Sequence, residues 1–522
     1  ASSALSTSPQ PHPGSLLTMM LFRFLLCALA MAPIAIDSLS PPKPIQKVAI
    51  VGTGISGLGI AHALNSLSSE DNEFELSLFD ARTGLNPQDG AGIQLNGGLA
   101  ALGKIDKDLQ RAVMDAGMPQ VGIRSRTKAW DNPSSSNFDT LLELDLLKLV
   151  RNAGGETTAE LVQEDGTTLW YSIMRGALQE VLLEKLPTQI GNNLHFGKKL
   201  ADIVEADNNE GVLCKFTDDT MCGPFDLVIG CDGVKSAVKE YMGSGKIKNG
   251  EIGLYSGIRI KFAVTDGDSK QDNPAKATLT QYFGDGGYAL DGTYGNGKDN
   301  APTKCGFLVY LDPGYIGPFK KKKNSAAKAI NENVDWAQDN RQRLEEGRAN
   351  MLTQIQTANI PDFTLAPIVS NADRFFELGV YFHNPFNKWS KGIANGAATA
   401  VLVGDAAHAM PPFLGQGANQ ALQDAYTLGA KICEYNAMSR GEVVVEDDEE
   451  EPDTSFGRYL KEYEQTRWFA TFGITIKSSF LGYLETGGIE GYYARFRDVF
   501  FKAMGFVGVA RKILLDAATP KL

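Results

Sequence analysis

Residues Val48–Val51 are a short, unbroken apolar run, and Gly52-Thr53-Gly54-Ile55-Ser56-Gly57 follow it directly. An apolar run of that length suits a strand buried on both faces of a parallel sheet. Helical pattern continues from Ile55 to about Leu67, and a second strand, Glu75 to Phe79, ends at Asp80, 23 residues past Gly57. That order is a βαβ unit, which directs the chain towards an α/β sheet. In such a unit the first glycine makes a tight turn and the second lets backbone approach a pyrophosphate. The third allows close helix–strand packing. The helix N-terminus adds unpaired N–H groups and a positive dipole end. An acid at the end of the second strand is placed to bond a ribose hydroxyl. These residues together specify a dinucleotide site without saying which dinucleotide.

Two later segments have related form. Asp226-Leu-Val-Ile-Gly-Cys-Asp232-Gly233 is again a buried strand running into a glycine-assisted turn. The segment from Val403 to Asn419 contains Gly404-Asp405, His408, Pro411-Pro412 and Gly415-Gln416-Gly417-Ala418-Asn419. Gly404 lets a ligand lie against backbone, and Asp405 offers an acceptor to a polyol. Gly415 to Asn419 opens a long helix, so its N–H groups and dipole can face a developing negative charge.

The rest of the chain supplies an α/β framework. Residues 174–186 read as a helix, 226–230 and 400–403 as buried strands, and 417–435 as a long helix. Short β-like runs at 257–264, 278–283 and 306–311 alternate with glycine-rich turns, the pattern of antiparallel sheet. A polar helix is expected over 325–358, and helical pattern returns from 455 to about 479 and again towards the end. The expected divisions are a targeting segment and linker over 1–44, a first part of the nucleotide domain over 45–250 interleaved with other elements, and a β region with helix over 251–385. A second part of the nucleotide domain follows over 386–435, then an acidic loop over 436–454 and a helical tail over 455–522.

Charge and cysteine usage exclude several classes. The formal net charge is −12, and Glu446–Asp453 alone hold seven acids, which read as a solvated loop. That balance opposes nucleic-acid binding, which needs a basic face; the run Lys320–Lys323 is too short to supply one. None of the six cysteines forms a CxxC pair, and no Cys/His cluster has metal-ligand spacing. Buried free thiols are expected instead. Arg23 followed by the apolar run Phe24 to Ile36 looks like a signal segment, too short to span a bilayer comfortably. It implies entry to the secretory route or an organelle such as a plastid.

The three motif segments resemble the GxGxxG, DG and GD motifs of the class A FAD monooxygenases, the para-hydroxybenzoate-hydroxylase-like family of aromatic-ring hydroxylases. The match runs from about residue 46 to 435. It implies a Rossmann-type FAD-binding domain, an inserted antiparallel β-sheet for the substrate, and a helical C-terminal tail. Gly52, Gly54, Ile55, Ser56 and Gly57 then hold the dinucleotide, Asp80 the adenosine ribose, and Asp405 the ribityl chain. Gly404 joins them, and Gly415, Gln416, Gly417, Ala418 and Asn419 lie beneath the flavin ring. Arg175 matches an arginine in contact with FAD, Asp232 the DG acid linked to both FAD and the nicotinamide donor, and Gly90–Leu95 the segment passing the flavin. The resemblance further implies that NAD(P)H reduces the flavin and that O2 forms a C4a-hydroperoxide. One oxygen is then transferred to an electron-rich aromatic or isoprenoid-like molecule by hydroxylation or epoxidation.

Other residues carry competing readings. Arg82 either contacts the FAD diphosphate or is a solvated strand-end residue. His408 reads as structural support before acid/base catalysis, and His383 as a residue at the approach to the site or an ordinary surface histidine. Pro411 and Pro412 shape the pocket floor; Tyr282, Phe283, Tyr288 and Arg259 are candidates to face the substrate, although strand aromatics are usually packing. The aromatic tail caps the site, forms a dimer face, rests on a membrane surface or simply packs. A reductase of the geranylgeranyl-reductase type and a non-catalytic flavin-binding protein are the alternative functions. The chain has no nucleophilic serine in a G-x-S-x-G context and no Trp-x-Trp-x-Ile stretch of a flavin halogenase.

Overall fold

Continuous apolar strands must be covered on both faces, and the central strands of a six-stranded nucleotide sheet meet that need. The six are β1 (Lys47–Val51), β2 (Glu75–Phe79), β3 (Leu194–His195), β4 (Leu227–Gly230), β5 (Ser390–Ile393) and β6 (Ala398–Leu402), in the order β5-β6-β4-β1-β2-β3. All neighbours pair in parallel except the edge hairpin of β5 and β6. The computed structural model describes residues 43–68, 74–86, 90–128, 138–207, 210–248, 253–267, 277–297, 302–312, 341–442, 454–487 and 493–522. The run 24–36, the lysines at 320–323, the acids of 446–453 and residues 325–340 of the expected polar helix lie outside the described residues.

The helices that build the site are α1 (Ile55–Leu67), α2 (Gly97–Ile105), α3 (Arg175–Glu184), α4 (Ala237–Ser244) and α5 (Gly417–Ser439). The C-terminal region adds α6 (Phe456–Glu485), α7 (Ala494–Val507) and α8 (Val509–Ala518). Helix α1 buries Leu58, Ile60, Ala61, Ala63 and Leu64. It packs on α5 through small residues: a Cβ on Gly59 would lie 3.2 Å from Leu422, and one on Gly429 only 2.8 Å from Ala63. Those glycines let the two helices approach closely, and larger residues there would force them apart.

A second, nine-stranded sheet holds the remaining long strands. Its order is Arg374–Phe382, Leu254–Asp266, Thr303–Leu311, Gly287–Tyr294, Ala277–Phe283, Met118–Lys128, Tyr171–Met174 and Gly92–Leu95, with Phe138–Asp145 also on Met118–Lys128. It is mainly antiparallel, as expected for the inserted region. The exception is the seam where Ala277–Phe283 runs parallel to Met118–Lys128, joining strands from the two halves of the chain. Strands such as Met118–Lys128 give little sequence signal, because Arg124, Arg126 and Lys128 interrupt any apolar alternation. A meander of Leu200–Glu205, Val212–Phe216 and Met221–Phe225 completes the β structure. The described cysteines are all free thiols, with Cys214, Cys231 and Cys305 buried.

The entry to β1 is fixed by two side chains far along the chain. Asp226 accepts from the N–H groups of Gln46 and Lys47 at 3.0 and 2.9 Å. Asn436, fully buried on α5, accepts the Ile45 N–H at 2.8 Å and donates to the Ile45 carbonyl at 2.7 Å. Asn436→Ala leaves both Ile45 groups buried without a partner, so it should destabilise the fold by about 1–3 kcal/mol. A lowered thermal unfolding midpoint checks this; an unchanged one would show that the clamp is dispensable.

Candidate active site

The three glycines after β1 have three different physical reasons. Gly52 has φ +98°, and a Cβ there would sit 2.4 Å from the Cys231 carbonyl oxygen. A Cβ on Gly57 would lie 1.9 Å from the Gly52 carbonyl oxygen, so only glycine lets α1 start this close to β1. Beside Gly54 the opposite holds, for a Cβ there would meet nothing within 4 Å. That open space adjoins the first turn of α1, where Ile55 and Ser56 stand, and this turn has neither a capping side chain nor an acid. Backbone donors facing a space that one methyl group would invade are what a pyrophosphate requires.

Asp80 stands at the end of β2 against this loop. Its Oδ2 accepts from the Thr53 N–H at 2.9 Å and the Thr53 hydroxyl at 2.6 Å, and Arg82 Nη2 donates to it at 2.8 Å. Oδ1 accepts the Arg82 N–H at 2.8 Å and Nε at 2.9 Å. Burial pushes the carboxyl up, but Arg82 and Thr53 outweigh it and hold Asp80 at about 2. Asp80 is thus an anion whose oxygens are fully engaged. Of its donors, Arg82 is the partly exposed one. Arg82 is not a freely solvated strand-end residue: it closes on Asp80 and on the Thr53 carbonyl.

The Gly404-Asp405 loop lies directly against the glycine loop. Gly404 has φ +63°, and a Cβ there would stand 3.0 Å from the Ser56 Cβ. Its N–H donates to Asp424 Oδ2 at 2.9 Å, and His408 Nε2 meets the same oxygen at 2.5 Å. Arg467 Nε, from α6, donates to Asp424 Oδ1 at 2.8 Å. Burial pushes Asp424 up, and His408 and Arg467 outweigh it, holding the carboxyl at about 2. His408, buried and packed at a tilt against Trp389, is therefore a structural partner of Asp424, as its motif position suggested. Asp405 is open to solvent yet densely surrounded by protein. That enclosure raises its carboxyl above the usual range, partly offset by His408 and Arg175.

Helix α5 begins beside Asp405, since a Cβ on Gly417 would lie 3.9 Å from Asp405 Oδ1. Gly415, at φ +64°, faces Gln94, while Gln416 is buried with its Oε1 unpartnered. Ala418 packs against the core. Asn419 is fully buried: its Oδ1 accepts from Asn96 and Gly98 N–H at 2.7 and 3.0 Å, and its Nδ2 donates to the Gln94 and Gly415 carbonyls at 2.9 and 3.2 Å. Its amide is saturated by protein, so it positions Gly92–Leu95 and does not itself face a ligand. The side chain of Arg175, at the start of α3, crosses Gly90, where a Cβ would meet its Cδ at 2.9 Å. Gly90–Leu95, Arg175, Asp405 and Gly415–Asn419 are thereby drawn together, as the sequence motifs require.

The DG segment joins the same cleft. Gly52 packs on Asp232, whose Cα is 2.8 Å from the Cβ position of that glycine. Asp232 Oδ2 accepts the Ala237 N–H at 2.6 Å, and its buried Oδ1 has no partner. Burial raises its carboxyl. Behind it stands a pair that sequence reasoning missed. Lys239 Nζ donates to His383 Nδ1 at 2.8 Å and to the Ala406 and Ala407 carbonyls at 3.2 and 2.9 Å. His383 Nε2 donates to the Val234 carbonyl at 2.8 Å, which leaves Nδ1 as the acceptor. His383 is therefore buried, not a surface histidine. Isolated in Tyr-Phe-His-Asn-Pro, it carries no local sign of burial.

The residues expected to face a substrate divide. Pro411 and Pro412 lie between Asp405 and Gly415, and the Pro411 carbonyl accepts the Ser478 hydroxyl of α6 at 2.6 Å. Tyr288 is enclosed against Phe283 and Glu485, Phe283 is itself fully buried, and Tyr282 packs on Phe138. Arg259 pairs with Glu377 at 2.5 Å. These four serve packing and pairing within the sheet.

The open space at Gly54, the uncapped starts of α1 and α5, accessible Asp405 and the unpartnered oxygens of Asp232 and Gln416 fit FAD. Gly54→Val should fold normally yet lose most bound FAD, whereas Gly57→Ala should fail to fold. Flavin absorbance and thermal midpoints separate the two, and full flavin occupancy in the Gly54 variant would refute the pyrophosphate assignment. Lys239 meets three acceptors, yet burial outweighs them and pulls its pKa to about 7 from 10.5, so the folded state favours the neutral amine. The unfolded chain then binds more protons above pH 7, so stability should rise from about pH 7 to 9, by at most about 1.4 kcal/mol per unit. Thermal midpoints across that range should rise less in Lys239→Met; equal slopes would count against the assignment.

A family model for an FAD binding domain matches residues 396–445, the stretch holding Asp405 and the start of α5. Among curated proteins, salicylate hydroxylase of Pseudomonas putida is 25% identical over 398 residues, covering 75% of this chain and 78% of its own. The chloroplastic zeaxanthin epoxidase of Capsicum annuum is 24% identical over 395 residues, covering 75% and 49% respectively. Among solved structures, Klebsiella pneumoniae HpxO with FAD and uric acid superposes with a TM-score of 0.62 at 17% identity, over 91% of this chain and 97% of that one. One cleft assembled from all three motifs, the FAD-binding-domain match and hydroxylase relatives aligned over about three quarters of this chain support the class A FAD-dependent monooxygenase family.

Proposed function

We propose that this enzyme takes electrons from NAD(P)H and, with O2, hydroxylates or epoxidises an aromatic or isoprenoid-like small molecule. The observation that carries the proposal is the uncapped start of α5 at Gly415–Asn419. It is fixed beside Asp405 and Gln94 and roofed by α6. FAD bound there supplies the redox chemistry and the activation of oxygen. The chain's own residues do the rest. Gly54 and the first turn of α1 receive the diphosphate, and Asp405 accepts from a polyol hydroxyl. The N–H groups that open α5 stabilise negative charge developing beside them.

Water exclusion falls to the C-terminal helices. Ser478 ties α6 to Pro411, and Gly482 lies so close to Phe413 that a Cβ there would stand 2.1 Å from its ring. A low-dielectric roof strengthens every charge interaction beneath it. No side-chain nucleophile is needed, and His408 is already committed to Asp424. Relatives named as a hydroxylase of salicylate and an epoxidase of zeaxanthin support both substrate classes.

The purified chain should show a flavin spectrum and consume NADH or NADPH faster with candidate phenols or carotenoids. Product formed under labelled O2 should carry one labelled oxygen. Equal product without O2 would replace this reading by a reductase, and failure of either nucleotide to reduce the flavin by a non-catalytic flavoprotein. Asp405→Ala should lose most bound FAD, on the order of tenfold in affinity, for a lost charge-assisted hydrogen bond. Undiminished occupancy would remove Asp405 from the site.

A further inference from the structure

Eight of the thirteen exposed large apolar side chains among the described residues lie between Phe469 and Val509, on the C-terminal helices and the residue preceding α7. On α6, Phe469, Ile476, Phe480 and Tyr483 recur at helical spacing and form one outward stripe. On α7, Phe496 and Val499 face outward, with Phe469, Phe496 and Val499 exposed by 72, 61 and 68%. Phe500 bridges the two stripes, its ring centroid 5.9 Å from Phe480 and 6.2 Å from Phe496. Isolated apolar residues on a surface need no explanation, but a continuous aromatic face on adjacent helices does.

Charge narrows what covers it. Arg495 and Lys502 flank Val499 at one helical turn on either side. Lys477, Arg511 and Lys512 add further cations, against the exposed Asp516, which pairs with Lys477. Glu485 and Asp498 point inward and are buried. The chain as a whole carries −12, so this basic margin runs against its overall sign. A second copy of the chain would bring the cations of one face onto those of the other, which opposes a symmetric contact. An anionic lipid surface satisfies both the aromatic face and its basic margin. Among the described residues no helix is long and apolar enough to cross a membrane, so contact would be in the plane of the interface.

We propose that the outer face of α6 and α7 docks on an anionic lipid surface. The inner face of α6 contacts the site, through Ser478 on Pro411 and Gly482 on Phe413. Docking therefore places the roof of the active site at the lipid boundary.

The test is sedimentation of the full-length flavoprotein with phosphatidylcholine vesicles, with and without phosphatidylglycerol. Phe480→Ser with Phe496→Ser should lower partition to mixed vesicles at least about tenfold, as expected when two aromatic anchors leave the interface. Arg495→Glu with Lys502→Glu should abolish the preference for phosphatidylglycerol. Flavin spectra and thermal midpoints verify folding, and should the serine pair misfold, the charge pair alone decides. Absence of vesicle binding overturns the proposal. So does partition unchanged by the substitutions, which would place binding elsewhere, such as the run 24–36. A dimer in light scattering that the serine pair dissociates also overturns it, making a second copy the occupant.

Discussion

The carboxylate of Asp424, on helix α5, holds two distant pieces of chain on its two oxygens. Gly404 and His408 meet Oδ2, and Arg467 meets Oδ1, all without access to water. Arg467 reaches onward to Gln420, Gln423 and the Lys521 carbonyl. Through that carboxylate the motif loop, helix α5, helix α6 and the last residues of the chain share one charge balance. Removing either charge strands the other in a dry interior, typically at about 3–5 kcal/mol. The left-handed turn at Gly404 depends on this balance, and the position of Asp405 depends on that turn.

Asn419 plays the neutral counterpart. It stands on the nucleotide side, at the head of α5, and grips Gly92–Leu95 and the start of α2 from four directions. Because Gly92–Leu95 is the edge strand of the nine-stranded sheet, one amide ties that edge to helix α5 beside the cofactor cleft. Gly92 lies under Tyr294, where a Cβ would fall 2.3 Å from the ring, so the strand is pressed from the other side as well. A site held this rigidly is organised before its cofactor arrives.

What was legible in the sequence was local. Buried parallel strands announce themselves as apolar runs, and Gly52 and Gly57 of the first loop answer to neighbours within the same βαβ unit or the adjacent strand end. The networks that hold the site were not legible. Asp424 and Arg467 are 43 residues apart and Lys239 and His383 are 144 apart, with nothing near either member to mark a partner. The same limit explains the misplaced substrate candidates. An aromatic residue in a strand looks identical whether it faces a pocket, as Tyr288 was expected to, or a buried glutamate such as Glu485, as it does.

Two acids of the same region show how the fold divides labour. Asp424 and Asp405 are both surrounded by protein, and burial alone would raise both. Asp424 is given an arginine, an imidazole and a backbone donor, and is held at about 2. Asp405 receives only the more distant influence of His408 and Arg175, and the negative charge of Asp424 pushes it further up. One carboxylate is thus saturated and serves the fold. The other is left short of donors on an open face, which is the state in which a carboxylate binds a hydroxyl most readily. The strength of the structural anion is part of what keeps the binding one available.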